Sequence, residues 1–210
     1  MAHPSIGVID YSVGNIRSVM NALKEIGFEG TLIHDPDRVE DFEQIILPGV
    51  GAFASAMDTL NSSGLGDALR VHVDKGRKLI GICLGMQLLC ESSLEEGEHA
   101  GFGWIPGQVG PFSPEHGLKI PHMGWNALHP SVEHPLFEGI EEGVDVYFIH
   151  SFHANPLHKA HVLAQCEYGD RFAAIIGRDN VLGMQFHPEK SQAAGLTMLK
   201  NALTIDAFSA

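Results

Sequence analysis

Residues 78–92, KLIGICLGMQLLCES, contain the turn on which the fold prediction depends. An apolar run ends at Cys83, and a stretch with the composition of a helix follows it. Where a strand turns sharply into a helix, its last side chain is held above the sheet, and Gly81 and Gly85 relieve the crowding on either side. The stretch therefore predicts a buried strand that ends at Cys83 and a helix that begins near Met86.

The first half of the chain alternates apolar runs with helical patterns. Between residues 14 and 27, apolar side chains recur at helical spacing, and Gly27 is typical of a helix end. Strands that alternate with helices in this way form parallel sheets covered by helices on both faces. The predicted strands span 5–11, 30–35, 44–49 and 77–83, and the predicted helices span 14–27 and 64–76.

From about residue 101 the pattern changes to glycines, prolines and short alternating runs. The runs 172–177 and 181–186 are typical of a β-hairpin, and 191–205 has the pattern of a closing helix. A length of 210 residues fits one domain with a substantial core. We therefore expect a single α/β domain over residues 1–210, with a mixed, largely parallel sheet, helices on both faces and antiparallel additions in the second half.

The composition indicates which classes of partner the protein could bind and in which cellular compartment it would be found. A net charge of -13 disfavours nucleic acid, because affinity for phosphates comes largely from Lys and Arg. No apolar run approaches the roughly 18 residues that cross a bilayer, so we expect no membrane partner. Three cysteines without framework spacing indicate free thiols in a reducing compartment. We therefore expect a cytoplasmic protein.

Cys83, His187 and Glu189 are the candidate catalytic side chains. A thiol at a helix N-terminus ionises more readily, and the free N–H groups there can receive an oxyanion. In GMQFHPEKS (183–191) a histidine and a carboxylate share one short loop, as a cysteine–histidine–acid triad requires. Simpler explanations exist, because a lone cysteine in an apolar run is often core and a histidine after a strand is often a surface residue.

The stretch ILPGVGAF (46–53) offers a second oxyanion donor. Gly49 and Gly51 permit positive φ around Val50, and such a turn can direct backbone N–H groups into a cleft. A plain tight turn from strand to helix would explain the same residues.

The sequence has neither a helical HExxH nor a CxxC pair, and it lacks the common phosphate-binding glycine patterns. We therefore expect no metal and no cofactor.

Three segments together resemble the class I (triad) glutamine amidotransferases: GICLGMQLL (81–89), HPE (187–189) and PGVG (48–51). The match runs through essentially the whole chain in the order of that family. Within the family, the segments DYSVGNIRSVMNAL, PGVGAF, PHMGWN, YFIHSFH and HPEKSQ look like the glutaminase subunits of imidazole glycerol phosphate synthases.

The resemblance implies the doubly wound fold of that family and a glutaminase that acts through a cysteine thioester. Its substrate would be glutamine, and its ammonia would pass across an interface to a separate (β/α)8-barrel cyclase subunit, the two forming a heterodimer. The cyclase would form imidazole glycerol phosphate and an aminoimidazole carboxamide ribotide in histidine biosynthesis.

The resemblance also implies roles for individual residues. Cys83, His187 and Glu189 match the triad. Glu95 is assigned to the substrate because it follows Cys83 by twelve residues, while Leu94 stands where an acid is frequent. The oxyanion donors would be Val50, Gly51 and Leu84; the substrate contacts would be Gly49, Gln87, Glu95, Ser151 and Phe152; and the cyclase-docking face would include Asn15, Ser18, Met123, Trp125 and Lys190.

Two alternatives remain open at this point. A cysteine hydrolase or peptidase with the same turn would act on peptides or esters and need no partner. A catalytically silent interaction subunit would keep only the fold, although the complete set of Cys83, His187 and Glu189 argues against it. Glutamine turnover through a thioester distinguishes a glutaminase from both.

Overall fold

The computed structural model describes residues 4–11, 15–113 and 117–209. Its strands are β1 Ile6–Ile9, β2 Gly30–Ile33, β3 Gln44–Gly49, β4 Lys78–Cys83, β5 Cys90–Ser93, β6 His99–Ala100, β7 Ile105–Pro111, β8 His122–Pro130, β9 Val144–His150, β10 Phe152–Pro156, β11 Val162–Tyr168, β12 Asp170–Arg178 and β13 Val181–Met184. Its α-helices are α1 Ile16–Glu25, α2 Phe53–Ser62, α3 Leu65–Asp74, α4 Leu84–Gln87 and α5 Gln192–Thr204. Short 3-10 helices include Pro36–Asp41, Pro135–Phe137, Lys159–His161 and Pro188–Lys190.

Nine strands form the main sheet, in the order β2-β1-β3-β4-β13-β12-β11-β8-β9. The pairings from β2 to β13 are parallel. The pairings from β13 to β9 are antiparallel and include the β12–β13 hairpin that the sequence predicted. The predicted mixed α/β sheet with antiparallel additions is therefore confirmed. Strands β10-β7-β5-β6 form a second sheet that the sequence did not predict.

The predicted elements of the first half are present, mostly with shorter ends. Helix α1 lies within the predicted range 14–27, whose first residue, Gly14, falls outside the described residues. Helix α2 was not predicted. The helix expected near Met86 begins earlier, at Leu84, and lasts only one turn. It is short because the chain enters β5 at Cys90.

Helices cover both faces of the main sheet, as the sequence predicted. Successive side chains of a strand point to opposite faces, so Ile46 packs on one side and Ile45 and Leu47 on the other. The Ile46 side is covered by apolar residues of α1 and α5, and the opposite side by those of α2 and α3. Burial on both faces explains why the central strands are apolar throughout.

The turn after β4 is the most constrained point of the backbone. Cys83 has φ 56° and ψ -111°, a conformation that a residue with a side chain rarely adopts. A side chain at Gly85 would collide with the backbone carbonyl of Leu47, and one at Gly81 would press on the backbone of Gly85. The two glycines therefore allow the chain to double back above β3 and β4.

Gly49 and Gly51 serve the preceding turn in different ways. Gly51 adopts positive φ, +95°, as its position in the turn suggested. Gly49 is absent from the positive-φ region, although the sequence argument gave both glycines the same reason. Its Cβ would instead lie 2.5 Å from the Tyr11 hydroxyl and 3.1 Å from the Gly85 nitrogen. Close packing beneath the Cys83 turn therefore explains Gly49.

We expect Gly85→Ala to destabilise the fold strongly, because the added methyl group has a rigid backbone carbonyl in its path. Overpacking of this kind costs about 1–3 kcal/mol or more. Gly110→Ala is the matched control, since its Cβ would meet only the flexible Asn155 side chain at 3.4 Å. Urea unfolding followed by circular dichroism measures both. Equal free energies of unfolding for the two variants would contradict this account of the turn.

Candidate active site

The candidate triad assembles at the carboxyl ends of β4 and β13. These strands pair in parallel, with Ile82 beside Met184, so the residues that follow them emerge at the same edge of the sheet. His187 Nδ1 lies 2.8 Å from Glu189 Oε1, and both side chains are almost completely buried. The Nε2 atom of His187 is also buried and has no well-formed hydrogen bond among the described residues.

The environment of His187 favours its charged form. Burial by itself would lower its pKa, but contacts with the Cys83 sulfur and the Glu189 carboxylate outweigh burial and raise the pKa of His187 to about 9. An imidazolium next to a thiol favours the thiolate, which is the nucleophilic form of cysteine. The geometry and the charge therefore suit nucleophilic chemistry at Cys83.

A ring of three hydrogen bonds holds the His187 backbone against the edge of β9. The His187 N–H donates to the Tyr147 carbonyl at 3.0 Å, and the Tyr147 N–H donates to Ser191 Oγ at 2.9 Å. The Ser191 hydroxyl then donates to the His187 carbonyl at 2.7 Å. Because all three links are short, the loop that carries His187 is fixed relative to the sheet.

A cavity of about 290 Å³ opens beside Cys83. Most residues assigned to the substrate or to the oxyanion from the sequence line it, whereas Gly49 lies next to it, paired with Cys83 in the sheet. Its size suits a small molecule of a few heavy atoms. The lining residues are Val50, Gly51, Cys83, Leu84, Gln87, Glu95, Pro121, Ile149, His150, Ser151 and Phe152.

Glu95 and Gln87 are the polar side chains that the sequence analysis assigned to this cavity. Glu95 Oε2 accepts a hydrogen bond from the Phe53 N–H at 2.7 Å and so caps the start of α2, while the side chain also faces the cavity. Leu94, the neighbouring position, does not line the cavity. The amide nitrogen of Gln87 donates to the Phe152 carbonyl and to Gln185 Oε1.

The residues assigned to partner docking lie on the surface near the His187 loop. Met123 and Trp125, on β8, are 58% and 47% exposed. The Tyr147 ring lies between them and the loop: its centroid is 5.8 Å from the Trp125 ring and 5.8 Å from Lys190 Nζ. Near the start of α1, the Ser18 hydroxyl donates to Asn15 Oδ1 at 2.9 Å. Ser18 and Lys190 line one surface depression.

A chain of hydrogen bonds that the sequence analysis missed runs from β8 to the cavity. Asn126 Nδ2 donates to the Glu167 carbonyl and to His122 Nε2. His122 Nδ1 then donates to His150 Nε2 at 3.0 Å, and His150 Nδ1 donates to the Phe152 carbonyl at 2.8 Å. The carbonyls at both ends can only accept, so they require both imidazoles to carry their proton on Nδ1.

His122 and His150 are held neutral by this arrangement. Burial lowers the pKa of His122 to about 4 and that of His150 to about 3. A second proton on either ring would face a nitrogen that already donates. Histidines embedded in the apolar stretches PHMGW and YFIHSF were the sequence signal for this pair, but partners 28 positions apart become visible only in the fold.

Two further polar residues beside Cys83 were also missed. Gln185 is completely buried, and its Nε2 atom lies 3.9 Å from the Cys83 sulfur. Tyr11 has a buried hydroxyl with no hydrogen-bond partner among the described residues, and burial, with a smaller contribution from Cys83, raises its pKa. A single amide in the apolar run GMQF, two residues before His187, was the available signal for Gln185.

Over the described ranges, no group of three or more His, Cys, Asp and Glu side chains is arranged to hold a metal ion. None of the helices in that part of the chain combines the length and apolar character needed to cross a membrane. The three cysteines are buried and unpaired, as the sequence predicted.

Residues 7–205 match the model of the glutamine amidotransferase class-I family. The chain therefore belongs to the class-I glutamine amidotransferases. It is similar to imidazole glycerol phosphate synthase subunit HisH of Wolinella succinogenes, at 46% identity over 93% of this chain and 97% of that protein, and to the subunit of the same name from Syntrophotalea carbinolica, at 44% identity over 93% and 98%. A solved structure of PurLQS from Thermotoga maritima has the same fold, with a TM-score of 0.76 and 21% identity over 96% of this chain and 98% of that one.

We expect acid to destabilise the protein through its neutral histidines. In the unfolded chain His122 and His150 bind a proton near pH 6.5, whereas the folded rings resist protonation down to about pH 4 and 3. The unfolded state therefore binds more protons over this window, and the free energy of unfolding falls as the pH is lowered through it, by up to about 1.4 kcal/mol per pH unit for each ring.

Urea unfolding between pH 7 and pH 4.5 measures this dependence. His122→Gln should reduce its slope, because it removes one of the rings. The raised pKa of His187 affects stability in a different pH range. The stabilisation that it contributes is complete below pH 6.5 and is lost as the pH rises toward 9. His34→Gln, at an exposed histidine, is the control. A slope unchanged by His122→Gln would show that this ring is not held neutral.

Proposed function

We propose that the chain is the glutaminase subunit of an imidazole glycerol phosphate synthase and releases ammonia from glutamine for histidine biosynthesis. The observation that carries this proposal is the buried contact of His187 with Glu189, 2.8 Å long, beside a cysteine held at a strained turn over a small cavity. The similarity to subunits named HisH over 93% of the chain supports the particular reaction.

The proposed chemistry is acyl transfer through Cys83. The thiolate attacks the side-chain carbonyl carbon of glutamine, and the imidazolium of His187 gives its proton to the leaving ammonia. The γ-glutamyl thioester that remains is attacked by water, which loses a proton to His187, and the C–S bond breaks to release glutamate and the thiolate. Glu189 accepts from His187 Nδ1 throughout and keeps Nε2 directed at Cys83.

Backbone donors are proposed to stabilise the tetrahedral intermediate. The N–H of Leu84 begins the one-turn helix that follows Cys83, and the turn that contains Val50 and Gly51 lines the same cavity. Donors placed where negative charge develops contribute much of the rate in such reactions. The orientation of the Val50 peptide decides whether this second donor is available.

The amino-acid end of glutamine is proposed to bind in the same cavity, near Glu95 and Gln87. Glu95 and the side-chain oxygen of Gln87 would supply acceptors for an ammonium group, and the backbone at Gly49, Ser151 and Phe152 supplies polar groups close by. The Phe53 N–H occupies one acceptor position of the Glu95 carboxylate, and a carboxylate offers about four, so it retains capacity for the substrate.

The proposed partner is a (β/α)8-barrel cyclase subunit, bound in a heterodimer through the face formed by Asn15, Ser18, Met123, Trp125 and Lys190. Exposed aromatic and methionine side chains are typical interface anchors. The face adjoins the His187 loop, so ammonia could pass to the partner without crossing bulk solvent. We place the complex in the cytoplasm and propose that it needs no nucleic acid, membrane or cofactor.

We expect Cys83→Ala to abolish glutamine-dependent synthesis by the complex and to preserve synthesis from added ammonium, because the thiol acts only in releasing ammonia. Assays of the chain with its cyclase on both nitrogen sources measure this. Cys166→Ala, at a buried thiol outside the cavity, is the control. Glutamine-dependent turnover that survives in Cys83→Ala would refute the triad. Loss of both activities in a folded complex would refute the proposal that the thiol acts only in releasing ammonia.

We expect Trp125→Ala to weaken association with the cyclase by about 30-fold, since truncation of an aromatic anchor costs about 2 kcal/mol. Titration calorimetry with the purified cyclase measures the affinity. Val71→Ala is the control, because Val71 is an exposed apolar residue on α3 with 42% of its surface accessible. Equal affinities for both variants would show that Trp125 does not contribute to the interface.

A further inference from the structure

We propose that Gln185 is a further catalytic residue, whose side-chain amide donates a hydrogen bond to the Cys83 sulfur and stabilises the thiolate. This inference rests on the proposed role of Cys83 as the nucleophile. Gln185 follows β13, two residues before His187, so the same short segment would supply both the base and a donor to the sulfur.

The orientation of the Gln185 amide follows from fixed backbone groups. The Phe152 carbonyl can only accept, so the Gln87 atom 2.9 Å from it must be the nitrogen. The same nitrogen lies 3.1 Å from Gln185, which must therefore present its Oε1 atom there. The NH2 group of Gln185 then faces Cys83, with its nitrogen 3.9 Å from the sulfur. Reversing either amide would bring two donors or two acceptors together.

Gln185 is so deeply buried that its amide would destabilise the fold if its polar atoms were unpaired. Gln185 is completely buried between the apolar Met184 and Phe186, which are also completely buried. An amide in such surroundings is destabilising unless its polar atoms are paired. Within the described residues, Oε1 is paired with Gln87, and the recorded partner of Nε2 is the sulfur of Cys83.

The chemical value of the contact depends on the charge of the sulfur. A thiol is a weak acceptor, but a thiolate is a strong one, so the amide donor stabilises the ionised form of Cys83. As sulfur bonds to the glutamine carbon its charge is lost, and the donor then has less effect. Gln185 would therefore act mainly by increasing the fraction of Cys83 that is ready to attack.

The pH dependence of alkylation by iodoacetamide tests this inference on the full chain without glutamine. Burial raises the pKa of Cys90 and that of Cys166 to about 12, so Cys83 should dominate the reaction, as peptide mapping would verify. The titratable side chains near the sulfur are His187 and Glu189 from the triad loop, Tyr11 after β1, His150 on β9 and Glu95 across the cavity, and the test variants retain all of them.

Gln185→Met removes the donor at similar volume, and Gln185→Glu keeps the acceptor for Gln87 but replaces the donor with an oxygen. Both should raise the pKa of the alkylation profile by about 1, so that alkylation below that pKa slows about tenfold. Gln44→Met is the matched control, because Gln44 is a buried glutamine at the start of β3 that donates to the Leu203 carbonyl. Its profile should match the unaltered chain.

A second measurement needs no substitution at Gln185. In the unaltered chain, the side-chain amide proton resonance of Gln185 should titrate with the pKa of the alkylation profile, and Cys83→Ser should abolish that titration. Unchanged profiles in folded Gln185 variants, or a flat amide resonance, would overturn the inference. The proposed function is tested separately by glutamine turnover of the complex. If the alkylation profiles shift as expected but the complex does not turn over glutamine, the hydrogen bond is established and the glutaminase is refuted.

Discussion

The close approach of the Gly85 backbone to the carbonyl of Leu47 is the contact on which the site depends. It lets the chain reverse direction within two residues of β4, and this reversal holds Cys83 at φ 56° above the sheet edge. Such a conformation is unfavourable by itself and persists because the packing around it leaves no alternative. Gly49 belongs to the same arrangement, since its missing side chain makes room for Gly85 and for the Tyr11 hydroxyl. Cys83, the proposed nucleophile, is therefore positioned by backbone packing, before any side chain contributes.

The side chains around Cys83 come from two directions. The loop after β13 supplies His187 and Glu189, and the ring of hydrogen bonds with Tyr147 and Ser191 ties that loop to β9. From the other side, neutral imidazoles extend from β8 to the Phe152 carbonyl, which also accepts from Gln87. The imidazole chain ends on a backbone carbonyl, which can only accept, so the direction of its hydrogen bonds is defined. The exposed face near Trp125 lies beside Tyr147, and a partner bound there would rest close to the loop that carries His187.

Local sequence patterns predicted much of this architecture. Apolar runs predicted the central strands, helical patterns predicted α1, α3 and α5, and the runs 172–177 and 181–186 predicted the β12–β13 hairpin. These features depend on neighbours within about ten residues, and the sequence displays such neighbours directly. The four-stranded second sheet was not predicted, because its strands are short and its pairs are formed between distant residues, such as His153 with Gly110. The helix at Cys83 was placed two residues late, because the turn geometry that starts it is set by contact with β3.

The sequence by itself determined the alternating α/β organisation, the strand that ends at Cys83, the pairing of His187 with Glu189 on one loop, and the resemblance to a family in which such residues act together. Only the tertiary structure decided that Glu95 rather than Leu94 faces the cavity, that Gly49 is required for packing rather than for positive φ, and that Gln185 touches the sulfur. The physical reason is separation along the chain. Gln185 meets Gln87 across 98 residues and His122 meets His150 across 28, and buried polar contacts of this kind have no local pattern, because each partner becomes recognisable only when the fold places the other beside it.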